Sequence, residues 1–182
     1  MKALSACLIL GLVTTSPVFA NALVDVTWKE PENYRDIRPA NETREGFKTR
    51  TFEQLEKYFS KLAERLDDGT KLSIEVTNLD LAGQVWPASF VGIGSGASDV
   101  RLIKSVDIPR MSFSYSYADA NGEVIKSDTV DLKDMAFQDR ANPLFTNDAL
   151  RYEKNMLRQW FDDTFPKEDV LAKAEQKTES SL

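Results

Sequence analysis

The spacing of apolar residues changes several times along this chain, and each change marks an element. Behind Lys2, Leu8 to Val13 is a short unbroken apolar run that Pro17 ends. Val18-Phe19-Ala20 and Ala20-Asn21-Ala22 then offer two small-residue cleavage patterns. Residues 1–22 therefore read as a secretory signal peptide, cut after Ala20 or Ala22, with an apolar run too short to span a bilayer. From Leu23 to Trp28 apolar and polar residues alternate, as in a strand with one buried side. Pro31 and Pro39 make the stretch 30–41 an irregular loop. Phe52, Leu55, Phe59, Leu62 and Leu66 then step by three and four, with Lys, Glu and Arg between them. That pattern predicts an amphipathic helix over about 43–66, stopped by Gly69.

Alternation returns at Leu72, Ile74 and Val76, predicting a second strand that runs to Thr77. A long connection, 82–99, leads to a third strand over 100–108. Met111, Phe113, Tyr115 and Tyr117 alternate with Ser112, Ser114 and Ser116 in a fourth, and Asn121-Gly122 turns it into a fifth, Val124 to Leu132. Thr146 or Asn147 is expected to cap a second helix, Asp148 to Phe165, which Pro166 ends. Residues 167–182 read as a charged tail. The expected architecture is α+β: one domain over 23–166, a mainly antiparallel sheet of about five strands, and two helices packed on one face.

Composition narrows the chemistry. The chain has 182 residues, a net charge of −6, no histidine and one cysteine, Cys7, inside the signal segment. A mature chain cut after Ala20 or Ala22 holds neither thiol nor imidazole. Disulfides, zinc sites of nitrogen and sulfur ligands, and every Ser-His or Cys-His arrangement are excluded. No cofactor is expected. The acidic, mixed charge disfavours nucleic acid, and no later stretch is apolar enough to be a transmembrane segment.

Gly92-Ile93-Gly94-Ser95-Gly96 resembles a phosphate loop only in part, since Ala97 stands where a third glycine is needed and a strand follows. Within that connection Trp86, Phe90, Val91 and Ile93 are apolar, where polar residues are the rule. They are the candidate binding residues, either folded back as a lid on the core or exposed to a partner. Asp119, Asn121 and Glu123 fall short of a calcium loop, so no metal ligand is assigned. Tyr34, Asp36, Arg38, Asp80, Asp131, Asp134, Arg151 and Glu153 form a candidate polar network. Acid–base chemistry needs two carboxyl groups with separated pKa values. Carboxylates among arginines more often tie loops to a sheet, and no catalytic residue is assigned.

Four segments carry a family resemblance: Trp28-x-x-Pro31-x-x-Tyr34-x-Asp36-Ile37-Arg38-Pro39, Asp80-Leu81-Ala82-Gly83, Asp131-Leu132-Lys133-Asp134-Met135, and Leu150-Arg151-Tyr152-Glu153-Lys154. Together they resemble the exported bacterial proteins of domain-of-unknown-function family three-zero-one-six. The resemblance implies a Gram-negative periplasmic protein and supplies no activity. With no catalytic constellation, the expected role is a non-enzymatic interaction module contacting an envelope protein. The alternative is a carrier or sensor of a small apolar ligand, held over Met111, Phe113 and Tyr115 with 82–99 as its lid.

Overall fold

The computed structural model describes residues 21–94 and 96–166. The expected tail, 167–182, and all but the last two residues of the expected signal segment lie outside the described residues. In chain order the elements are β1 (Leu23–Trp28), α1 (Arg44–Ala63), β2 (Lys71–Asp80), β3 (Gln84–Trp86), β4 (Val100–Leu102), β5 (Arg110–Ala118), β6 (Val124–Lys133) and α2 (Arg151–Thr164). The main sheet has the order β1-β2-β5-β6, parallel between β1 and β2 and antiparallel elsewhere. The expected α+β architecture is present, with four strands in the main sheet. The strand expected over 100–108 stops at Leu102, because the Lys104 carbonyl accepts the Asp107 N–H and turns the chain. What remains, β4, pairs with β3 in a separate ribbon.

Each apolar stripe faces the same layer. Phe52, Leu55, Phe59 and Leu62 of α1 and Leu157, Trp160 and Phe161 of α2 are buried against one face of the sheet. That face presents Leu72, Ile74 and Val76 of β2 and Met111, Phe113, Tyr115 and Tyr117 of β5. Trp160 sits at the centre, edge-on to Phe113 at 4.8 Å and Tyr115 at 5.4 Å. Edge-to-face rings add a modest term to their large buried area.

Two departures from simple periodicity position the site. The alternation of β2 breaks at Thr77, where a bulge lets Val76 and Leu79 both point inward. A bulge adds one residue to one strand, so the inward set resumes one step later. β2 thus extends to Asp80 instead of ending at Thr77. Second, α2 begins at Arg151, three residues after the expected start, and neither Thr146 nor Asn147 caps it. Asp148 builds the turn instead: its Oδ1 accepts the Leu150 N–H at 2.8 Å, and its carbonyl accepts the Arg151 N–H.

The loop after β1 is irregular but firmly held. Trp28 stacks on Phe52 with ring centroids 4.0 Å apart and donates its indole N–H to Glu56. Buried Tyr34 donates its hydroxyl to the Val76 carbonyl at 2.7 Å. Asp36 then pairs with Asp80 as a parallel bridge, so the loop lies along the far end of β2.

Trp160→Ala is expected to cost about 3–5 kcal/mol, the usual range for removing a large buried ring. Urea unfolding measures it; a loss below about 1 kcal/mol would show that the aromatic cluster is not the centre of the core. Ser114→Ala, on the opposite polar face, is expected to change stability by less than about 0.5 kcal/mol.

Candidate functional site

Beyond Asp80 the chain turns at Gly83 into the β3–β4 ribbon. Gly83 has φ 78°, and a Cβ there would lie 2.3 Å from the Leu102 carbonyl oxygen, so only glycine fits. This close approach delivers Arg101 of β4 to the loop that precedes α1. Its guanidinium donates to the Asp36 carboxylate at 3.0 Å, the Gly83 carbonyl at 3.0 Å, the Ala82 carbonyl at 3.3 Å and the Arg38 carbonyl at 2.8 Å. The first turn of α2 meets the same corner from the other side. Glu153, 1% exposed, accepts the Ala82 N–H on Oε1 at 2.7 Å. Its Oε2 is buried and has no hydrogen-bond partner among the described residues.

Between these walls lies a cleft of about 260 Å³. Four arginines line it: Arg38 from the loop, Arg50 from α1, Arg101 from β4 and Arg151 from α2. Glu42 and Glu153 are its two carboxylates, while Phe47, Leu81, Ile103 and Leu150 supply apolar wall. Glu42 pairs with Arg50, which holds its carboxyl below the usual range. Arg151 lies 4.6 Å over the Tyr152 ring. The Arg38 guanidinium is exposed and has no hydrogen-bond or ion-pair partner among the described residues. Burial raises the Glu153 pKa above its ordinary value, opposed by the Ala82 N–H, by its own backbone N–H and by Arg101 and Arg151. Burial also raises Asp80, against the opposing charge of Arg35 and with reinforcement from Asp36.

The eight polar residues singled out from sequence separate into groups. Asp36, Arg38, Arg151 and Glu153 stand in or directly behind the cleft, and Asp80 is next to them, 3.4 Å from Arg35 and 3.6 Å from Arg110. Tyr34 belongs to the aromatic corner. Asp131 pairs with Lys133 and accepts from Ser112, and buried Asp134 accepts the Ala136 N–H beside Arg140; both are away from the cleft. Arg50, Arg101 and Glu42 were not singled out. Arg101 stands between two apolar residues in a three-residue strand, and no spacing marks it.

The apolar connection is divided. Trp86 is half-buried with the Lys104 ammonium 4.7 Å over its ring, and Val91 is half-buried. Phe90 is 78% and Ile93 57% exposed. None of the four lines the cleft. Phe113 and Tyr115 are packed against Phe59, Trp160 and Phe165, and Met111 is buried in the same core. At the β5–β6 hairpin, the Asp119 carboxylate accepts the Asn121 and Glu123 N–H groups. Among the described residues no cluster of three or more His, Cys, Asp or Glu is placed to hold a metal ion. No described helix is long and apolar enough to cross a membrane.

A family model described as "Protein of unknown function (DUF3016)" matches residues 22–163. The chain belongs to the DUF3016 family. No curated protein and no solved structure matches it. Three of the four segments that carry the DUF3016 resemblance supply walls of the cleft: Arg38, Leu81 with Ala82, and Leu150 through Glu153. The fourth, Asp131 to Met135, lies elsewhere.

A carboxyl with a raised folded-state pKa contributes stability that is fully present below its unfolded value, here 4.5, and is lost as pH rises through the folded value. Glu153→Gln removes that loss. The stability difference between variant and parent is therefore expected to move in favour of the variant as pH rises from about 4.5. Thermal unfolding from pH 4 to 8 measures it; a constant difference would mean that Glu153 does not titrate abnormally.

Proposed function

We propose that this DUF3016 protein is an exported, non-catalytic binding module that captures a small anionic ligand in the arginine-lined cleft. One observation carries the reading: four arginines line one cleft in a chain whose net charge is −6. Arginine is the residue suited to carboxylate and phosphate recognition, because its planar fork offers paired donors. Arg101 is committed to the fold and Arg50 to Glu42, whereas Arg38 has its fork free. The non-catalytic part rests on the two carboxylates. Glu42 is neutralised by Arg50, so Glu153 has no free carboxylate beside it in the cleft for the paired acid–base work that carboxylate catalysis uses.

Export is supported by the Lys2, Leu8–Val13 and Ala20/Ala22 pattern, together with where the fold begins. β1 starts at Leu23, so cleavage after Ala20 or Ala22 leaves every described element whole. A periplasmic fraction whose intact mass corresponds to residues 21–182 or 23–182 is the expected finding; an uncut chain in the cytoplasm would remove this part.

The binding test is thermal. An anion that occupies the cleft is expected to stabilise the fold by about 2.7 kcal/mol at one hundred times its Kd. Arg38→Ala is expected to leave the fold intact, since that side chain bonds to none of the described residues. It is expected to weaken anion binding roughly ten- to hundred-fold, the equivalent of one charge-assisted hydrogen bond. Stabilisation that is identical in parent and variant would place the anion outside the cleft.

A second reading, contact with an envelope protein, is favoured by the exposure of Phe90 and Ile93 on one short turn. A photocrosslinker at position 90 is expected to give a discrete adduct in cells, lost in Ile93→Asp. An absence of any adduct would set that surface aside.

A further inference from the structure

Glu153 is buried, its Oε1 accepts the Ala82 N–H, and its Oε2 has no hydrogen-bond partner among the described residues. Of the buried carboxylate oxygens left so, with those of Asp107 and Asp134, it is the one whose residue lines the cleft. Buried polar atoms in native proteins have partners almost without exception, so an orphan at a cleft wall calls for one from outside the chain. The neighbouring cations do not supply it. Arg101 donates to Asp36 and three carbonyls, Arg151 donates to the Asp148 carbonyl and lies over the Tyr152 ring, and neither bonds to Glu153.

We infer that the cleft takes a small organic monoanion, carboxylate or sulfonate, together with one proton that sits on Glu153 Oε2 and donates to the bound head group. The inference rests on the anion-binding reading and names its ligand class. An ionised Glu153 would repel an entering anion, whereas a protonated one offers an O–H···O⁻ bond, the short charge-assisted kind. The proton comes from solvent and returns there when the ligand leaves. Free Arg38 then balances the single negative charge. Phe47, Leu81 and Ile103 provide wall for an apolar body. At about 260 Å³ the cleft is just below the usual range of ligand pockets, which suits a short chain and not a large ring system.

No other group at the cleft is placed to take that proton. Arg101 of β4 and Arg151 of α2 act on Glu153, and Arg50 of α1 and Arg38 of the loop line the same cleft; guanidiniums stay charged throughout. Glu42 is held ionised by Arg50, Asp36 is matched by Arg101, and Asp148 by Lys154.

The experiment is titration calorimetry of the mature chain with hexanoate and with hexanesulfonate, in two buffers of different ionisation heat, from pH 5 to 8. Both probes are expected to bind with uptake of one proton, and to weaken by about tenfold per pH unit once free Glu153 is ionised. Glu153→Gln, whose amide donates permanently, is expected to bind both with no uptake and no pH slope. Binding of both probes by the parent chain with no proton uptake would overturn the inference while leaving the cleft an anion site. A slope seen for hexanoate alone would put the proton on the ligand and overturn it equally. Binding of neither probe, or binding that Arg38→Ala does not weaken, would remove the cleft reading as well. Because a sulfonate carries no proton in this range, its uptake in the parent chain decides the matter even if the glutamine variant misfolds.

Discussion

The Arg101 guanidinium is the constraint on which the cleft depends. It ties together three pieces of chain that regular secondary structure leaves loose: the loop at Asp36 and Arg38, the turn at Ala82 and Gly83, and the short strand β4. Ordering an irregular segment costs about 1–2 kcal/mol of backbone entropy per residue. A hydrogen bond to a charged group returns about 1.5–3 kcal/mol. Four such contacts on one side chain, most of them shielded from bulk solvent, offset the ordering of a few residues on each segment. The contact exists only because Gly83 lets the Leu102 carbonyl come close. A side chain at 83 would push β4 away and take Arg101 with it.

With Arg101 committed, the remaining charges sort by what the fold requires. Glu42 and Arg50 neutralise each other at the rim. Asp36 is consumed by Arg101 and Asp148 by Lys154. That leaves the Arg38 fork and the Glu153 Oε2, neither of which holds any described part of the chain in place. Exposed arginines are ordinary and mean little singly. A free arginine on the same cleft as a buried, half-satisfied carboxyl is a combination that folding alone does not explain, and a bound anion satisfies both.

The layer of helices and strands was legible because it depends on period. The stripes of α1 and of β5 are written in residues 52–66 and 111–117 and survive folding unchanged. Where several weak local signals compete, the reading drifted. The alternation of β2 fails at Thr77, and only pairing with β5 shows that a bulge resets it. Asp148 begins a turn where Thr146 or Asn147 was the expected cap, since all three residues have capping side chains and tertiary packing of Tyr152 and Leu157 chooses among them. The cleft was half legible. Asp36, Arg38, Arg151 and Glu153 stood out as polar residues within family segments. Arg101 and Arg50 did not, because their roles come from long-range approach and from no local pattern. Trp86, Phe90, Val91 and Ile93 drew attention by composition, yet none of them lines the cleft.

Glu153 shows why the cleft reads as a working site and not a gap in packing. At position 153 the fold uses an oxygen to accept the Ala82 N–H. Glutamine has the same shape, supplies that oxygen, and carries no charge to desolvate. A buried group left without its partner costs on the order of 1–3 kcal/mol, and more when it is charged. The chain nevertheless places a carboxyl in the first turn of α2, buried, near two arginines that do not bond to it. Natural sequences break local rules chiefly where function compensates for the loss. Unlike the amide, a carboxyl can gain and lose a proton, and that is the property the proposed ligand uses.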